Sequence, residues 1–178
     1  MILLVLPALI GVYSCSAKIA PENEEDRLAL DAMAQRTVDE LVGQVPGLES
    51  KMQNALAYSV VHWKLTKVPV FGMGTGEGVL TVTESDENIY FDATRFDVGG
   101  GLGKRTYKVL MIIDSQEVLE KAIGGTWTFL AGADTAGIVS SYNRITTASG
   151  DGYTLYVLHR TGTLVAVTAR LVRTRKKW

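Results

Sequence analysis

Few residues in this chain have both the type and the spacing to do chemistry. His62 and His159 are the only imidazoles, and neither stands beside an Asp or Glu at the spacing of a catalytic triad or a metal site. Both read as structural or surface histidines. Asp134, within Gly132-Ala133-Asp134-Thr135, is a candidate site acid, but a turn-forming Asp among small residues is the simpler account. Two His and one Cys leave too few ligands for a Cys/His zinc site, and a single Cys makes no internal disulfide. No catalytic set, metal or cofactor is therefore expected. The glycines are more informative. Gly72, Gly74, Gly76 and Gly78 alternate with Phe71, Met73, Thr75 and Glu77. A dinucleotide fingerprint counted from Gly72 needs glycine where Glu77 stands, and neither this run nor Gly99, Gly101 and Gly103 leads into Gly-Lys-Ser/Thr. The runs predict strand faces stripped of side chains, open to close approach by a neighbouring element, a tight bend or a ligand.

Binding to an anionic headgroup is the other chemistry the residues allow. The candidate cations are Lys104, Arg105 and Lys108, and the terminal group Arg170, Arg173, Arg175, Lys176 and Lys177. The last 23 residues hold six basic side chains and no acid. Each contributes about 1 kcal/mol near an anionic surface, subject to screening, and Trp178 suits an interface. The competing account makes Arg170 and Arg173 solvated strand-face residues and lets the last five residues fray. Across the whole chain 18 Lys and Arg meet 19 Asp and Glu, a net charge of -1. No overall field recommends nucleic acid as a partner.

The lone Cys15 closes an uncharged apolar run from Met1 to Val12, shorter than the roughly 20 residues of a membrane-spanning helix. The run reads as a signal-peptide core that lacks the usual basic start. Val12-Tyr13-Ser14-Cys15 resembles the lipobox of bacterial lipoproteins, with Tyr13 bulkier than usual. That likeness implies cleavage before Cys15 and acylation of its thiol. The competing account leaves Cys15 as a small residue near a cleavage site. Residues 1–14 are thus expected to be a lipoprotein signal and 15–25 a polar tether, with Ser16 resembling an outer-membrane sorting residue.

These residues need elements to position them. Leu30, Ala34, Val38, Leu41 and Val42 fall on one face of a helix over 22–42, with acidic residues at its start and Gly43 and Pro46 beyond its end. A second helix over 46–57 is expected to bury Leu48, Met52, Ala55 and Leu56. Residues 22–57 carry eight acids against three bases, which favours packing on the domain over lying on a membrane. Short β-branched and aromatic runs follow, predicting strands over 58–63, 76–83, 88–93, 106–113, 126–130, 153–159 and 164–172. Trp63, Trp127 and Phe129 read as core aromatics. A helix over 115–123 interrupts the strands, with Ser115 as N-cap and Val118, Leu119, Ala122 and Ile123 inward. Fifteen of the 18 glycines lie after residue 60, and no linker divides 26–178. The expected fold is α+β: N-terminal helices packed on a glycine-rich, mainly antiparallel sheet or barrel-like body.

Three stretches together resemble the SYLF-domain family of lipid-binding domains. They are 57–63 leading into the glycine run of 71–80; Val98-Gly99-Gly100-Gly101-Leu102-Gly103 with 107–114, 117–123 and 127–136; and Tyr156 through Gly162 to the basic end. The likeness spans about 48–175. His62, Lys104-Arg105 and Gly162-Thr163-Leu164 depart from the family's usual pattern. The resemblance implies a non-catalytic lipid-binding domain, often carried by envelope lipoproteins. The expected partner is therefore phospholipid or an anionic membrane surface, and the expected location is the cell envelope, at the periplasmic face of the outer membrane. The alternative is a structural envelope protein that recruits a protein partner through its sheet.

Overall fold

The computed structural model describes residues 24–124, 126–136, 145–161 and 164–176. Cys15, the tether, Lys177 and Trp178 lie outside them, as do the side chains of Trp127, Phe129, Asp134, His159, Arg170 and Lys176.

The first helix, α1, runs Glu24–Val42 and buries Leu30, Ala34, Thr37 and Leu41. Thr37 takes the central position that the apolar pattern assigns to Val38, which packs at the margin with Val42. Its hydroxyl donates to the Met33 carbonyl at 2.7 Å, so a polar side chain is satisfied in a buried stripe. Helix α2 is shorter than expected, Leu48–Gln53. Asn54 ends it by donating from Nδ2 to the Ser50 carbonyl at 2.7 Å. Leu56 is consequently exposed rather than buried, because the chain has left the helix and is entering the sheet.

Eight strands follow: β1 Ala57–Lys67, β2 Phe71–Val82, β3 Glu87–Val98, β4 Gly101–Ile113, β5 Thr126–Ala136, β6 Ile145–Gly150, β7 Tyr153–Thr161 and β8 Leu164–Lys176. Helix α3, Gln116–Ile123, separates β4 from β5. It buries Val118 and Leu119, but Ile123 on its last turn is exposed, and Ser115 at the N-cap makes no side-chain capping bond. Strand β6 was not expected from the sequence; its Thr147–Gly150 half is exposed and lacks an apolar alternation. Asp134 belongs to β5 rather than to a turn, beside a register shift between Ala131 and Asp134.

All pairings are antiparallel, in the order β5-β8-β3-β2-β1-β4-β7-β6. Strand β8 pairs with β3 from Val98↔Ala169 to Phe91↔Lys176 and also with β4 from Gly101↔Ala166 to Gly103↔Leu164. At that end β4-β1-β2-β3-β8 comes full circle, which gives the body its barrel-like character.

Each face of the sheet has its own core. The inner one joins Val61, Trp63, Leu65, Phe91, Ala93 and Tyr107 to Val118 and Leu119 of α3. On the outer face α1 and α2 lay Ala34, Leu41, Leu48 and Met52 over Val60, Val79, Leu110, Ile112 and Leu158. The helices cover only one half of that face: along β1 the outward residues after His62, Lys64 and Thr66, are exposed.

The glycine run of β2 behaves as its spacing predicts: Gly72, Gly74, Gly76 and Gly78 are all buried while Phe71, Met73, Thr75 and Glu77 are exposed. A Cβ on Gly76 would sit 2.9 Å from Val61 Cγ1 and 3.0 Å from the Trp63 ring. These glycines make room for β1 and β3 side chains to lean over the strand. The second run has a different cause. Gly101 and Gly103 hold φ of 154° and 145°, a backbone region that excludes other residues.

Candidate functional site

Along most of the ring the inner face is apolar, and at the end formed by the β1–β2 and β3–β4 connections this polarity reverses. In β3 the inward residues are Ile89, Phe91 and Ala93, then Arg95 and Asp97; the outward Phe96 and Val98 are exposed. In β1 the inward Val61, Trp63 and Leu65 give way to Lys67. The result is a short section with ions inside and hydrocarbon outside.

Inside, Arg95 grips Asp97 with both ends of its guanidinium, Nε to Oδ1 and Nη2 to Oδ2 at 2.6 Å each. Nη1 also donates to the Tyr107 hydroxyl, and the Tyr107 ring stacks with Trp63 at a centroid separation of 6.3 Å. Burial works against the Arg95 charge, but the bonds to Asp97 and Tyr107 outweigh it and raise its pKa. Lys67 and Asp97 are each only 1% exposed. Glycines make this possible: Lys67 pairs with Gly72 on one side and Gly103 on the other, and Asp97 pairs with Gly72. A Cβ on Gly72 would lie 2.9 Å from Asp97 Cβ, so the missing side chain is the space Asp97 occupies.

Outside, Val68, Val70, Phe71, Met73, Phe96, Val98 and Leu102 are exposed, Phe71 by 64% and Leu102 by 65%. These side chains lie on neighbouring strands and turns, Phe71 opposite Val98 and Met73 opposite Phe96. The register orders what lies behind them. Phe96, Met73, Thr66 and Lys104 stand side by side; the next row is Arg173, Thr94, Thr75, Lys64 and Thr106; the third is Arg175, Asp92, Glu77, His62 and Lys108. Lys64, Lys104, Arg173 and Arg175 are exposed.

The expected cations therefore divide. Lys104 and Lys108 lie on the outer face, and Arg105 between them takes the inner parity opposite Leu65, half-buried. Arg173 and Arg175 join the outer rows through β8, while Arg170 pairs with Asp97 and Lys176 with Phe91. His62 faces Glu77 and Lys108 across its two neighbours, a partnership invisible in the linear sequence. Its pKa is lowered by burial first, then by Lys64 and Lys108, with Glu77 opposing. His159 pairs with Tyr107 in the ladder.

No family model matches the chain, and no curated protein does. Among the described residues no group of three or more His, Cys, Asp or Glu is placed to hold a metal ion, and no helix is long and apolar enough to cross a membrane.

Sequence reasoning passed over Lys67, Arg95, Asp97 and the apolar rim. A signal existed: in 87–98 the apolar residues change phase, from odd positions through Ala93 to even positions at Phe96 and Val98. The phase change lies beyond the strand expected over 88–93 and inside the observed β3.

Proposed function

We propose that this is a non-catalytic domain that binds anionic phospholipid surfaces, the activity implied by its likeness to the SYLF family, in an envelope lipoprotein anchored through Cys15. One observation carries the reading: on the half of the sheet that the helices leave bare, exposed hydrocarbon lies directly beside the exposed cations Lys64, Lys104 and Arg173. Apolar contact supplies non-directional attraction, and cations near an anionic leaflet add about 1 kcal/mol each.

Co-sedimentation with vesicles of phosphatidylglycerol and phosphatidylcholine, against pure phosphatidylcholine, tests it. A chain starting at Ser16 keeps every described residue and both cores but has no acyl anchor. Binding is expected to anionic vesicles and to weaken as salt shortens the Debye length from about 10 Å at 0.1 M to about 3 Å at 1 M. Replacing Lys64, Lys104 and Arg173 together by Gln should remove the salt-sensitive part. Equal sedimentation of this variant and its parent at all salt concentrations would refute the role of these cations. Failure to bind any vesicle would leave recruitment of a protein partner as the better reading.

A further inference from the structure

We propose that the β1–β2 and β3–β4 hairpin tips enter the bilayer to a shallow depth, with the rim residues Val68, Val70, Phe71, Val98 and Leu102 in hydrocarbon and Lys104, Lys64 and Arg173 at the level of the phosphates. This inference rests on the lipid-surface reading and specifies which surface makes contact and how deeply.

The reversal of polarity is the first ground. A strand ring in water keeps hydrocarbon inside and, where no helix covers it, polar groups outside, as the uncovered middle of this sheet does with Trp63 and Leu65 inside and Lys64, Thr75 and Glu77 outside. Membrane-embedded strands do the opposite, with an apolar band toward lipid and polar residues within. The end of this ring follows the second rule, with Lys67, Arg95 and Asp97 enclosed and Phe71, Met73, Phe96, Val98 and Leu102 outside. In β2 and β3 the reversed section runs over Phe71–Met73 and Arg95–Val98, or roughly 10 Å at about 3.3 Å per residue. That is far short of the roughly 25 Å apolar band of a spanning barrel and matches the roughly 5–10 Å burial of interfacial elements.

Backbone accounting is the second ground. A loop entering hydrocarbon must satisfy its own N–H and C=O groups. The two tips do so partly through each other: Gly99 N–H donates to the Val70 carbonyl at 3.0 Å and Gly101 N–H to the Pro69 carbonyl at 3.3 Å, while Val68 N–H donates to the Phe71 carbonyl at 2.8 Å. Pro69 has no N–H to satisfy. The tips thus form one cross-bonded platform instead of two free loops.

Charge selects the occupant. Lys104 lies behind Phe71, Val98 and Leu102, level with Met73 and Phe96 at the back of the apolar patch, and Lys64 and Arg173 stand one row further, an order that matches hydrocarbon followed by phosphate. A second copy docked rim to rim would bring these like charges together.

The Ser16 chain contains no cysteine, so single cysteines can be introduced by Phe71→Cys, Leu102→Cys and, in the exposed turn at the far end of β2, Ser85→Cys. Each is labelled with the environment-sensitive fluorophore NBD and mixed with vesicles of phosphatidylglycerol and phosphatidylcholine. At positions 71 and 102 the emission should shift to the blue, resist iodide and be quenched by lipids carrying a shallow doxyl group; at 85 nothing should change. Sedimentation with the label at 71 still open to iodide would overturn insertion and leave surface adsorption standing. Loss of all sedimentation would overturn both. A blue shift without vesicles, together with a dimer by light scattering, would assign the rim to a second copy. Phe71→Ser with Met73→Ser should lower partitioning about tenfold or more with an unchanged melting curve, since both side chains already face solvent; unchanged partitioning would also overturn the inference.

Discussion

Alanine placed at Gly74, Gly76 and Gly78 one at a time should produce a graded series of stabilities, because the three positions lie on one strand face but meet different atoms. At Gly74 the nearest neighbours of an added Cβ are Arg95 Cβ and Leu65 Cδ1 at 3.4 Å, close to the optimum of about 3.5–4.0 Å for carbon contacts. Alanine there also reduces the freedom of the unfolded chain, which favours folding by about 0.4–1 kcal/mol where the conformation is compatible. Gly74→Ala should therefore be neutral or slightly stabilising. At Gly76 the Cβ falls 2.9 Å from Val61 Cγ1 and 3.0 Å from two Trp63 ring atoms. Both side chains are buried and cannot swing aside, so the cost should be about 1–3 kcal/mol, as for other overpacked cores. At Gly78 the Cβ lies 2.6 Å from the Val60 carbonyl oxygen. Backbone in the middle of the β1–β2 ladder must then move, and the loss should reach about 3 kcal/mol or more. Urea unfolding followed by tryptophan fluorescence and far-UV circular dichroism measures the series. A flat series, or one in which Gly78→Ala is mildest, would show that the glycines do not mark close packing, and the ligand-cradle reading of the run would regain force.

Three further outcomes are expected. Asp97→Ala should destabilise by about 3–5 kcal/mol because it strands the buried Arg95 charge, whereas Arg95→Met combined with Asp97→Leu should cost far less than the sum of the single changes in a urea-melt cycle. His62, whose pKa is lowered in the fold, binds its proton less readily there than in the unfolded chain. Stability should therefore fall as pH drops through the ordinary imidazole range near 6.5, and His62→Gln should reduce the fall seen in melts between about pH 7.5 and 5.5. Mass spectrometry of envelope-extracted protein should find the chain beginning at an acylated Cys15; an intact 1–14 segment or a free thiol there would refute the lipoprotein assignment.

Much of the fold was legible because it follows from local periodicity. The apolar stripe of α1 and the alternation of the β2 glycines each express a rule that operates within a dozen residues. The structure departs from these rules where a hydrogen-bond partner decides the outcome. Leu56 faces solvent because the chain turns to pair with Ile113, and Thr37 is buried because its hydroxyl finds a carbonyl one turn back. The site was less legible. Lys104, Arg105 and Lys108 look like one basic cluster in the sequence, but strand alternation sets Arg105 apart from the other two. Arg95 and Asp97 look like surface charges until the register places them beside the glycines that make room for them. Their burial depends on β2, a strand whose side-chain-free face is visible in the sequence although its neighbours are not.

The division of the outer face into a helix-covered half and a bare half has a consequence for how binding and stability are coupled. Leu41, Leu48, Leu110 and Ile112, all fully or almost fully buried, supply stability at the covered half. Phe71, Met73, Phe96 and Leu102 contribute little burial to the folded monomer, so changes there should have small effect on folding and, under the proposed reading, alter membrane affinity. Such a rim need bind only weakly if the chain is tethered. The proposed acyl anchor at Cys15 would confine the domain to the membrane surface, raising its effective concentration there and making a modest intrinsic affinity sufficient. Under the proposed reading the anchor would supply retention and the rim orientation, with the basic rows held against the phosphates and the helical end toward water, so a shallow, reversible contact would suffice without a spanning barrel.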